Sequence, residues 1–375
     1  MRALTLQGVE SIQAENDVAD PEIQADSDVI VAVHQAGICG SDLHQYHGRE
    51  RVRPGTVPGH EFFGEIVAAG RRVTRFQTGE LVFAPFTTSC GQCFFCRDGL
   101  SSRCVQGQLF GYQPPEDEPD SGHGIQGAQA EFVRVPLADS TLLHCPASLS
   151  AEEALLLGDN FTTGFFCAEQ AGLRRDGITV VIGCGAVGLC AVVAAQYLGA
   201  ETVIAVDPIE SRRRRAAELG ARAASPEDVP ALVAELASPS GRGGADSVLE
   251  AVGNPAAQRL AYEIVRPGGV ISTVGVHTSG QFAFSPTAAY DRNVTYKAGR
   301  CPVRSCLDRL LLLVQNNECS IPVEQIITQR RVPLSEGEQA YRQFAARSGD
   351  SVKILLDPRQ EPPSHEAVSR NLANL

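Results

Sequence analysis

The sequence predicts an α/β protein in which a doubly wound parallel sheet follows a β-rich lobe. From Thr179 onward, short apolar runs alternate with helical patterns, and this alternation is typical of a parallel sheet covered on both faces. Before residue 151, short β-type runs are separated by Gly and Pro instead. The predicted elements are strands at 29–33, 65–68, 179–182, 202–206, 247–249 and 269–274 and helices at 186–198 and 210–219.

Length and composition limit the class of protein. The 375 residues indicate two domains, with room for an extra lobe. The net charge of −12 disfavours nucleic acid or an anionic membrane surface as a partner. The sequence contains no apolar run long enough to span a membrane. Its first residues become polar too soon for a secretory signal, so none is expected. Twelve cysteines in such a chain indicate a reducing, cytoplasmic location, where clustered cysteines are metal ligands or reactive thiols rather than disulfides.

Three further segments carry predictions of organisation. A helix at 307–314 and a strand at 352–356 are expected to return to the first lobe. The acidic, proline-rich segment 112–125 is expected to form a mobile surface loop, and the polar tail 357–375 is expected to be loosely attached.

A cluster of four cysteines is the strongest local signal. Cys90, Cys93, Cys96 and Cys104 have the spacing C-x2-C-x2-C-x7-C, which lets four thiolates turn onto one ion. Four thiolates complete a tetrahedral shell and leave no open position for chemistry, so the pattern predicts a structural zinc site. An iron–sulfur cluster and four unligated thiols are the alternatives.

A second set of candidate ligands comes from two motifs in the first lobe. Cys39 lies in the run from Gly37 to His44, and His60 lies in the run from Pro58 to Phe62. A thiolate and an imidazole are both ligands that suit zinc. A catalytic zinc needs a third protein ligand and one open position. Asp159 is the candidate and Glu61 the alternative. Taken singly, Cys39 could be a small core residue, His60 a buried histidine and Asp159 a helix cap.

The dinucleotide motif lies between the first predicted strand of the parallel sheet and its helix. Gly183, Gly185 and Gly188 form G-x-G-x-x-G in the context that the motif requires. Asp207 lies 19 residues further on, at the end of the next strand, where a carboxylate holds the ribose hydroxyls and repels a 2′-phosphate. NAD is therefore favoured over NADP, although the basic run 212–215 could receive a phosphate.

In this order the motifs resemble those of the zinc-dependent medium-chain alcohol dehydrogenases, over about residues 20–356. The resemblance implies a GroES-like catalytic domain with a structural zinc lobe (1–158 and 301–375) and a Rossmann NAD-binding domain (159–300). It implies two zincs per chain, one structural and one catalytic, the latter on Cys39, His60 and Asp159. Aspartate as third ligand is similar to the branch of glutathione-independent formaldehyde dehydrogenases, whereas in the polyol branch the residue matching Glu61 can take that role.

The same resemblance implies roles for further residues. Asp42 would accept the free ring N–H of His60, Ser41 would hydrogen-bond the reacting oxygen, and His44 would pass the proton toward solvent. For the cofactor, the family positions assign Arg212 to the adenosine, Thr163, Val274 and Val276 to the nicotinamide, and Lys353 to the pyrophosphate.

The implied reaction is reversible hydride transfer between a primary or secondary alcohol and NAD, giving an aldehyde or ketone. A polyol dehydrogenase and a formaldehyde-type dehydrogenase or dismutase are the enzyme alternatives, and a non-catalytic dinucleotide-binding protein is the alternative of another class. The expected partners are a small-molecule alcohol or aldehyde and further copies of the chain, as a homodimer or homotetramer, with no nucleic acid and no membrane.

Overall fold

The computed structural model describes residues 1–118, 124–347 and 350–360. The strands in chain order are β1 (Ala3–Gly8), β2 (Ser11–Glu15), β3 (Val29–Ile38), β4 (Phe62–Ala69), β5 (Leu81–Phe83), β6 (Leu109–Phe110), β7 (Gly124–Ile125), β8 (Phe132–Val135), β9 (Leu143–His144), β10 (Ile178–Ile182), β11 (Thr202–Val206), β12 (Arg222–Ala224), β13 (Ala245–Glu250), β14 (Val265–Thr273), β15 (Thr295–Ala298), β16 (Ile327–Val332) and β17 (Lys353–Leu356). The α-helices are α1 (Asp42–Tyr46), α2 (Phe94–Arg97), α3 (Ala138–Thr141), α4 (Ala151–Gly158), α5 (Asn160–Ala171), α6 (Ala186–Tyr197), α7 (Glu210–Glu218), α8 (Val229–Ala237), α9 (Pro255–Ile264), α10 (Pro286–Asp291), α11 (Val303–Gln315), α12 (Val323–Ile326) and α13 (Gly337–Ala345).

Parts of two predicted segments lie outside the described residues. Of the loop predicted at 112–125, residues 119–123 are not described, and of the tail predicted at 357–375, residues 361–375 are not described. The mobility expected of both segments stays a prediction.

The chain divides into two compact units. The first comprises Met1–Phe83, Gln108–His144 and Gln329–Leu375, and the second comprises Ala84–Gly107 and Cys145–Thr328. The four-cysteine segment therefore packs with the second unit. The functional domains at 1–158, 159–300 and 301–375 stay a prediction.

In the first unit the main sheet has the strand order β16-β17-β3-β4-β5-β9, and β8 also pairs with β3. Antiparallel pairing sets Ala36 of β3 opposite Phe62 of β4, and Ile38 of β3 opposite Ile354 of β17. The end of β3, the start of β4 and the start of β17 therefore meet at one edge. This register brings residues 39, 60–61 and 353 together, although they are far apart in sequence.

The core of the first unit is apolar and continuous with this sheet. Side chains of β1, β17 and α13 supply most of one cluster, in which Tyr341 and Ile354 are fully buried. Burial of such side chains contributes on the order of 2 kcal/mol each and is the main force that holds the long-range strand pairs together.

In the second unit a parallel sheet has the order β12-β11-β10-β13-β14-β15. All its neighbouring strands run parallel, and β10 in the middle is buried along its whole length. Residues of β10, β11, β13, α8 and α9 form its main apolar cluster. The predicted α/β class, with a doubly wound parallel sheet, is confirmed.

Two helices precede this sheet and were not predicted. Ser150 begins α4 with a capping box, in which Ser150 and Glu153 satisfy each other's backbone N–H groups. Between α4 and α5, Asp159 has φ −147° and ψ −76°, outside the helical region, so the chain changes direction at this residue.

Within the described ranges, no helix has both the length and the apolar character that a membrane crossing requires.

Candidate active site

The first unit brings Cys39, His60 and Glu61 together. Cys39 follows the end of β3, and His60 and Glu61 immediately precede β4, so the antiparallel register places them at one edge of the sheet. Each offers one ligand atom, and these atoms lie within 4.8 Å of one another. A thiol, an imidazole and a carboxylate at this spacing form a donor set that suits zinc.

The ring of His60 is oriented by Asp42. Nδ1 of His60 lies 3.1 Å from Oδ1 of Asp42, and both side chains are buried. Because the carboxylate can only accept, Nδ1 carries the ring proton, and Nε2 keeps the lone pair with which a histidine binds a metal. Nε2 itself lies 3.2 Å from Oγ of Ser41. The geometry around His60 fits the expected zinc.

The environment of Cys39 also fits the expected zinc. Burial, and then the charge of Glu61, raises the pKa of the Cys39 thiol, while Lys353 and His60 oppose the shift. These surroundings favour the neutral thiol, and a metal cation bound to the sulfur would favour the thiolate. A zinc ion held by His60 and Cys39 would be that cation.

Glu61 is already paired with a cation of the protein. Nζ of Lys353 lies 2.7 Å from Oε1 of Glu61 and in still closer contact with Oε2. The exposed fractions of the two side chains are 1% and 0%, respectively. Lys353 therefore lies against Glu61, and its expected contact with the pyrophosphate stays a prediction.

Asp159 belongs to the second unit and is buried where α4 meets α5. Its Oδ2 accepts a hydrogen bond from Nδ2 of Asn160 at 3.1 Å, and its Oδ1 accepts one from Oγ1 of Thr163 at 3.2 Å. Thr163, expected beside the nicotinamide, thus has its hydroxyl directed to Asp159. These two donors are neutral groups that orient the carboxylate.

The proposed proton carriers Ser41 and His44 flank the start of α1. His44 is buried, and its Nδ1 has no hydrogen-bond partner among the described residues. Burial, and then the charges of Arg49 and His47, lowers the pKa of His44. His44 is therefore a neutral imidazole at pH 7, the form that can accept a proton.

The four cysteines of the second unit form one cluster. The sulfur atoms of Cys90, Cys93, Cys96 and Cys104 lie within 4.8 Å of one another. Backbone N–H groups point at these sulfurs: for example, Cys93 donates to Sγ of Cys90 at 3.3 Å, and Cys90 donates to Sγ of Cys104 at 3.2 Å.

The acidity of these thiols fits a metal cluster. Backbone N–H groups of Cys96 and Val105 lower the pKa of Cys93 to about 6, whereas burial and the neighbouring thiols raise the pKa of Cys96 to about 12. The loop thus stabilises the thiolate of Cys93 by itself, whereas a thiolate at Cys96 requires a cation beside it. Four sulfurs in this arrangement fit a structural zinc.

The glycine motif has the geometry that its sequence predicts. Gly183 has φ +95°, a conformation that other residues rarely adopt, and a Cβ on Gly188 would lie 1.7 Å from the carbonyl oxygen of Gly183. Glycine at these positions lets α6 begin directly against β10. A Cβ on Gly185 would meet nothing closer than 4.0 Å, where Nη1 of Arg212 lies, so the backbone is open on that side.

The carboxylate of Asp207 is buried at the end of β11. Oδ2 accepts a hydrogen bond from the N–H of Cys184, and Oδ1 accepts one from the N–H of Ile209, both at 2.9 Å. Asp207 thus ties the glycine loop to the next strand. In the basic run, Arg213 donates to the carbonyls of Asp207 and Pro208, and Arg215 donates to those of Glu324 and Gln325.

The segment from Val274 to Val276, expected beside the nicotinamide, is hydrogen-bonded to Glu250, a residue that the sequence patterns did not identify. Val274 and Gly275 both donate to the carbonyl oxygen of Glu250, whose buried carboxylate accepts from the N–H groups of Val252 and Gly253. Burial alone would raise the pKa of the Glu250 carboxyl, but hydrogen bonds, the largest effect among them from His277, lower this pKa. The signal was present in the sequence, since Glu250 directly follows the strand predicted at 247–249. Val276 itself is exposed.

Comparisons with known proteins agree with this site. Residues 25–147 match the family model described as alcohol dehydrogenase GroES-like domain, and residues 186–311 match the model described as zinc-binding dehydrogenase. A medium chain reductase/dehydrogenase from Acremonium sp is 44% identical over 78% of this chain and 98% of its own. The chain belongs to the zinc-dependent medium-chain dehydrogenase family.

Further relatives agree on the activity of this dehydrogenase. Zinc-type alcohol dehydrogenase B from Aspergillus flavus is 39% identical over 87% of this chain and 74% of its own. The structure of an alcohol dehydrogenase from Thermus sp. ATN1 is 38% identical, covers 95% of this chain and 99% of its own, and has a TM-score of 0.85. The chain is an alcohol oxidoreductase with a GroES-like and a Rossmann-like domain, and it uses zinc, a nucleotide cofactor and a small-molecule substrate.

One relative bears on the branch of the family. A glutathione-independent formaldehyde dehydrogenase from Bacillus subtilis is 34% identical over 88% of this chain and 86% of its own.

Proposed function

We propose that this dehydrogenase interconverts primary or secondary alcohols and the corresponding aldehydes or ketones, with NAD as the hydride carrier. The observation that carries the proposal is the hydrogen bond between Nδ1 of His60 and Asp42 at 3.1 Å. It makes Nε2 of His60 the metal-binding nitrogen, next to the thiol of Cys39.

Cys39, His60 and Asp159 are the proposed ligands of a catalytic zinc, and the four-cysteine cluster would hold a second, structural zinc. Asp159 is preferred to Glu61 because the charge of Glu61 is already paired with that of Lys353. One thiolate and one carboxylate would balance the two charges of the ion.

When bound, the zinc would supply the Lewis acidity that makes the substrate hydroxyl more acidic. Ser41 lies beside Nε2 of His60 and would accept the proton of that hydroxyl while donating its own. His44, neutral and with Nδ1 unpartnered among the described residues, would take the proton onward.

The preference for NAD is supported by Asp207 and by the basic run. The buried carboxylate of Asp207 at the end of β11 would repel a 2′-phosphate. Arg213 and Arg215, which could have received that phosphate, already donate to backbone carbonyls. Arg212, near the open side of Gly185, is the proposed adenosine contact.

The test is cofactor reduction across primary, secondary and polyol alcohols, with NAD and NADP in parallel and the metal counted in the same sample. We expect two zincs per chain and kcat/KM at least ten times higher with NAD. Full turnover by a zinc-free protein, or a preference for NADP, would contradict the proposal.

Formaldehyde chemistry is the second candidate, because a formaldehyde dehydrogenase is among the relatives and Asp159 stands where the sequence expects the third ligand. The dismutation of two formaldehyde molecules with water gives formate and methanol without net NADH. Product analysis by NMR therefore separates it from simple oxidation.

A homodimer or homotetramer and a cytoplasmic location are also proposed. β15 is the last strand in the order of the parallel sheet. Phe282 and Tyr290, close to β15 in sequence, are 62% and 82% exposed. A second copy of the chain could cover these apolar side chains. No disulfide joins any of the twelve cysteines, all of which lie within the described residues, and this supports a reducing compartment. Light scattering on wild-type protein and on Tyr290→Lys tests the assembly: a monomeric wild type would contradict it.

A further inference from the structure

We infer that Gln129 and Tyr341 are positioning residues for the metal centre: they hold Asp42, and through Asp42 they fix the ring of His60 and the backbone at Cys39. The inference rests on the proposed function, in which His60 and Cys39 are zinc ligands. Neither Gln129 nor Tyr341 was identified from the sequence, because nothing in the local pattern marks either residue.

A continuous chain of buried hydrogen bonds connects the two residues to His60. The hydroxyl of Tyr341 donates to Oε1 of Gln129 at 2.7 Å, and Nε2 of Gln129 donates to Oδ2 of Asp42 at 3.3 Å. Oδ1 of the same carboxylate lies 3.1 Å from Nδ1 of His60. The exposed fractions of Gln129 and Tyr341 are both 0%, so water cannot replace these bonds.

The orientation of the Gln129 amide is determined by its partners. Nε2 faces two groups that can only accept, the carbonyl of Gly37 at 3.0 Å and the carboxylate of Asp42. A rotated amide would set its oxygen against both of them. Oε1 must therefore face Tyr341, whose hydroxyl must donate.

Tyr341 keeps its proton at neutral pH. Burial, and then the charge of Asp42, raises the pKa of the Tyr341 phenol well above its usual value, against a smaller opposing effect of Gln129. The donor that fixes the amide is therefore present at neutral pH.

Gln129 also touches both segments that carry the ligands. It bonds to Gly37, two residues before Cys39, and Oδ2 of Asp42 accepts the N–H of Cys39 itself at 2.9 Å. On the other side, a Cβ on Gly59, the residue before His60, would lie 2.5 Å from Cγ of Gln129. One side chain thus locates the thiol segment and the imidazole segment relative to each other.

The consequence is a metal affinity that depends on residues that do not touch the metal. Removal of a partner that orients a ligating histidine commonly weakens metal binding 10- to 100-fold. We expect Gln129→Leu, which removes the amide, to release zinc to a chelator about 10 to 100 times faster than the wild type. Tyr341→Phe, which removes only the hydroxyl, should have a smaller effect in the same direction, about 3- to 10-fold.

The chain offers a matched control. Gln258, 4% exposed, donates from Nε2 to the hydroxyl of the half-buried Tyr296 at 2.9 Å, a second Gln–Tyr pair that lies in the other unit. Gln258→Leu and Tyr296→Phe should release zinc within about twofold of the wild-type rate. All variants are compared by zinc release, by the visible spectrum after cobalt substitution, and by NADH affinity from fluorescence.

In the Gln129 and Tyr341 variants we expect an altered cobalt spectrum and unchanged NADH affinity. If Gln129→Leu does not fold, Tyr341→Phe carries the test, since it keeps the ring that packs in the core. A folded Gln129→Leu that releases zinc at the wild-type rate would overturn the inference. The same result in Tyr341→Phe would overturn it where that variant carries the test. Zinc release accelerated equally in the control pair would also overturn it. A wild-type protein that binds only one zinc would instead overturn the proposed function.

Discussion

Lys353 neutralises Glu61 in the interior of the first unit, with both side chains essentially removed from solvent. Taking two charges out of water is costly, and their attraction offsets that cost only while both partners are present. Removal of one partner is therefore expected to destabilise the protein, because the charge of the other partner stays buried.

The first prediction concerns this pair. Lys353→Met removes the cation that pairs with the buried Glu61 and should lower the free energy of unfolding by about 3–5 kcal/mol, measured by urea denaturation. Lys297→Met, at an exposed lysine that donates to the carbonyl of Gln170, should change it by less than about 0.5 kcal/mol. The double variant Glu61→Leu/Lys353→Met should recover most of the loss. A single variant as stable as the wild type would show that Glu61 is not charged.

The second prediction concerns the four-cysteine cluster. Cys96→Ser removes one of four converging sulfurs, so we expect one zinc per chain fewer and a clear drop in thermal stability before any specific loss of chemistry. Zinc analysis and thermal unfolding measure the two effects. Cys145→Ser, at a thiol outside the cluster, serves as the control. A variant that keeps full stability and loses only turnover would contradict a structural role.

The parallel sheet was predictable because its signals are local. The apolar run at 179–182 lies within β10, the run at 202–206 coincides with β11, and the glycine motif lies between strand and helix as expected. In such a sheet each strand is read from a few consecutive residues, and the connecting helices follow from the same pattern.

The surroundings of the site in the first unit were less predictable. Lys353 reaches Glu61 because β17 pairs with β3, and Gln129 reaches Asp42 because its segment folds back over 87 residues. Such contacts depend on the register between distant strands, which no local pattern records. The motifs therefore identified Cys39, His60 and Asp42, whereas the side chains that hold them appear only in the structure.

The third prediction concerns cofactor choice. Asp207→Ser removes the negative charge at the end of β11, so the ratio of kcat/KM with NAD to kcat/KM with NADP should fall at least tenfold. The loop bonds of Asp207 are also weakened, and some loss of activity with NAD is expected. Asp228→Ser, at an aspartate bonded to Ser225, should leave the ratio unchanged. An unchanged ratio in Asp207→Ser would remove Asp207 from cofactor selection.

The fourth prediction concerns the proton path. Because its lowered pKa keeps His44 neutral at pH 7, His44→Gln should reduce kcat at this pH about 10²-fold, the contribution of a positioned proton acceptor. His144→Gln, at an exposed histidine that contacts the carbonyl of Arg75, should retain kcat within about twofold. Equal kcat in the wild type and in His44→Gln across the pH range would exclude His44 from the path.

The pH dependence of the rate provides a further test, because a purely structural effect would not move the acid limb of the profile in a defined direction. Protonation of His44 removes the acceptor, so the wild-type rate should fall as the pH drops through a value below 6.5, the usual pKa of histidine. The positive charge of Arg49 helps to hold that pKa down, so Arg49→Gln should raise it and move the acid limb of the profile to higher pH. A shift to lower pH, or an acid limb that persists in His44→Gln, would assign the titration to another group.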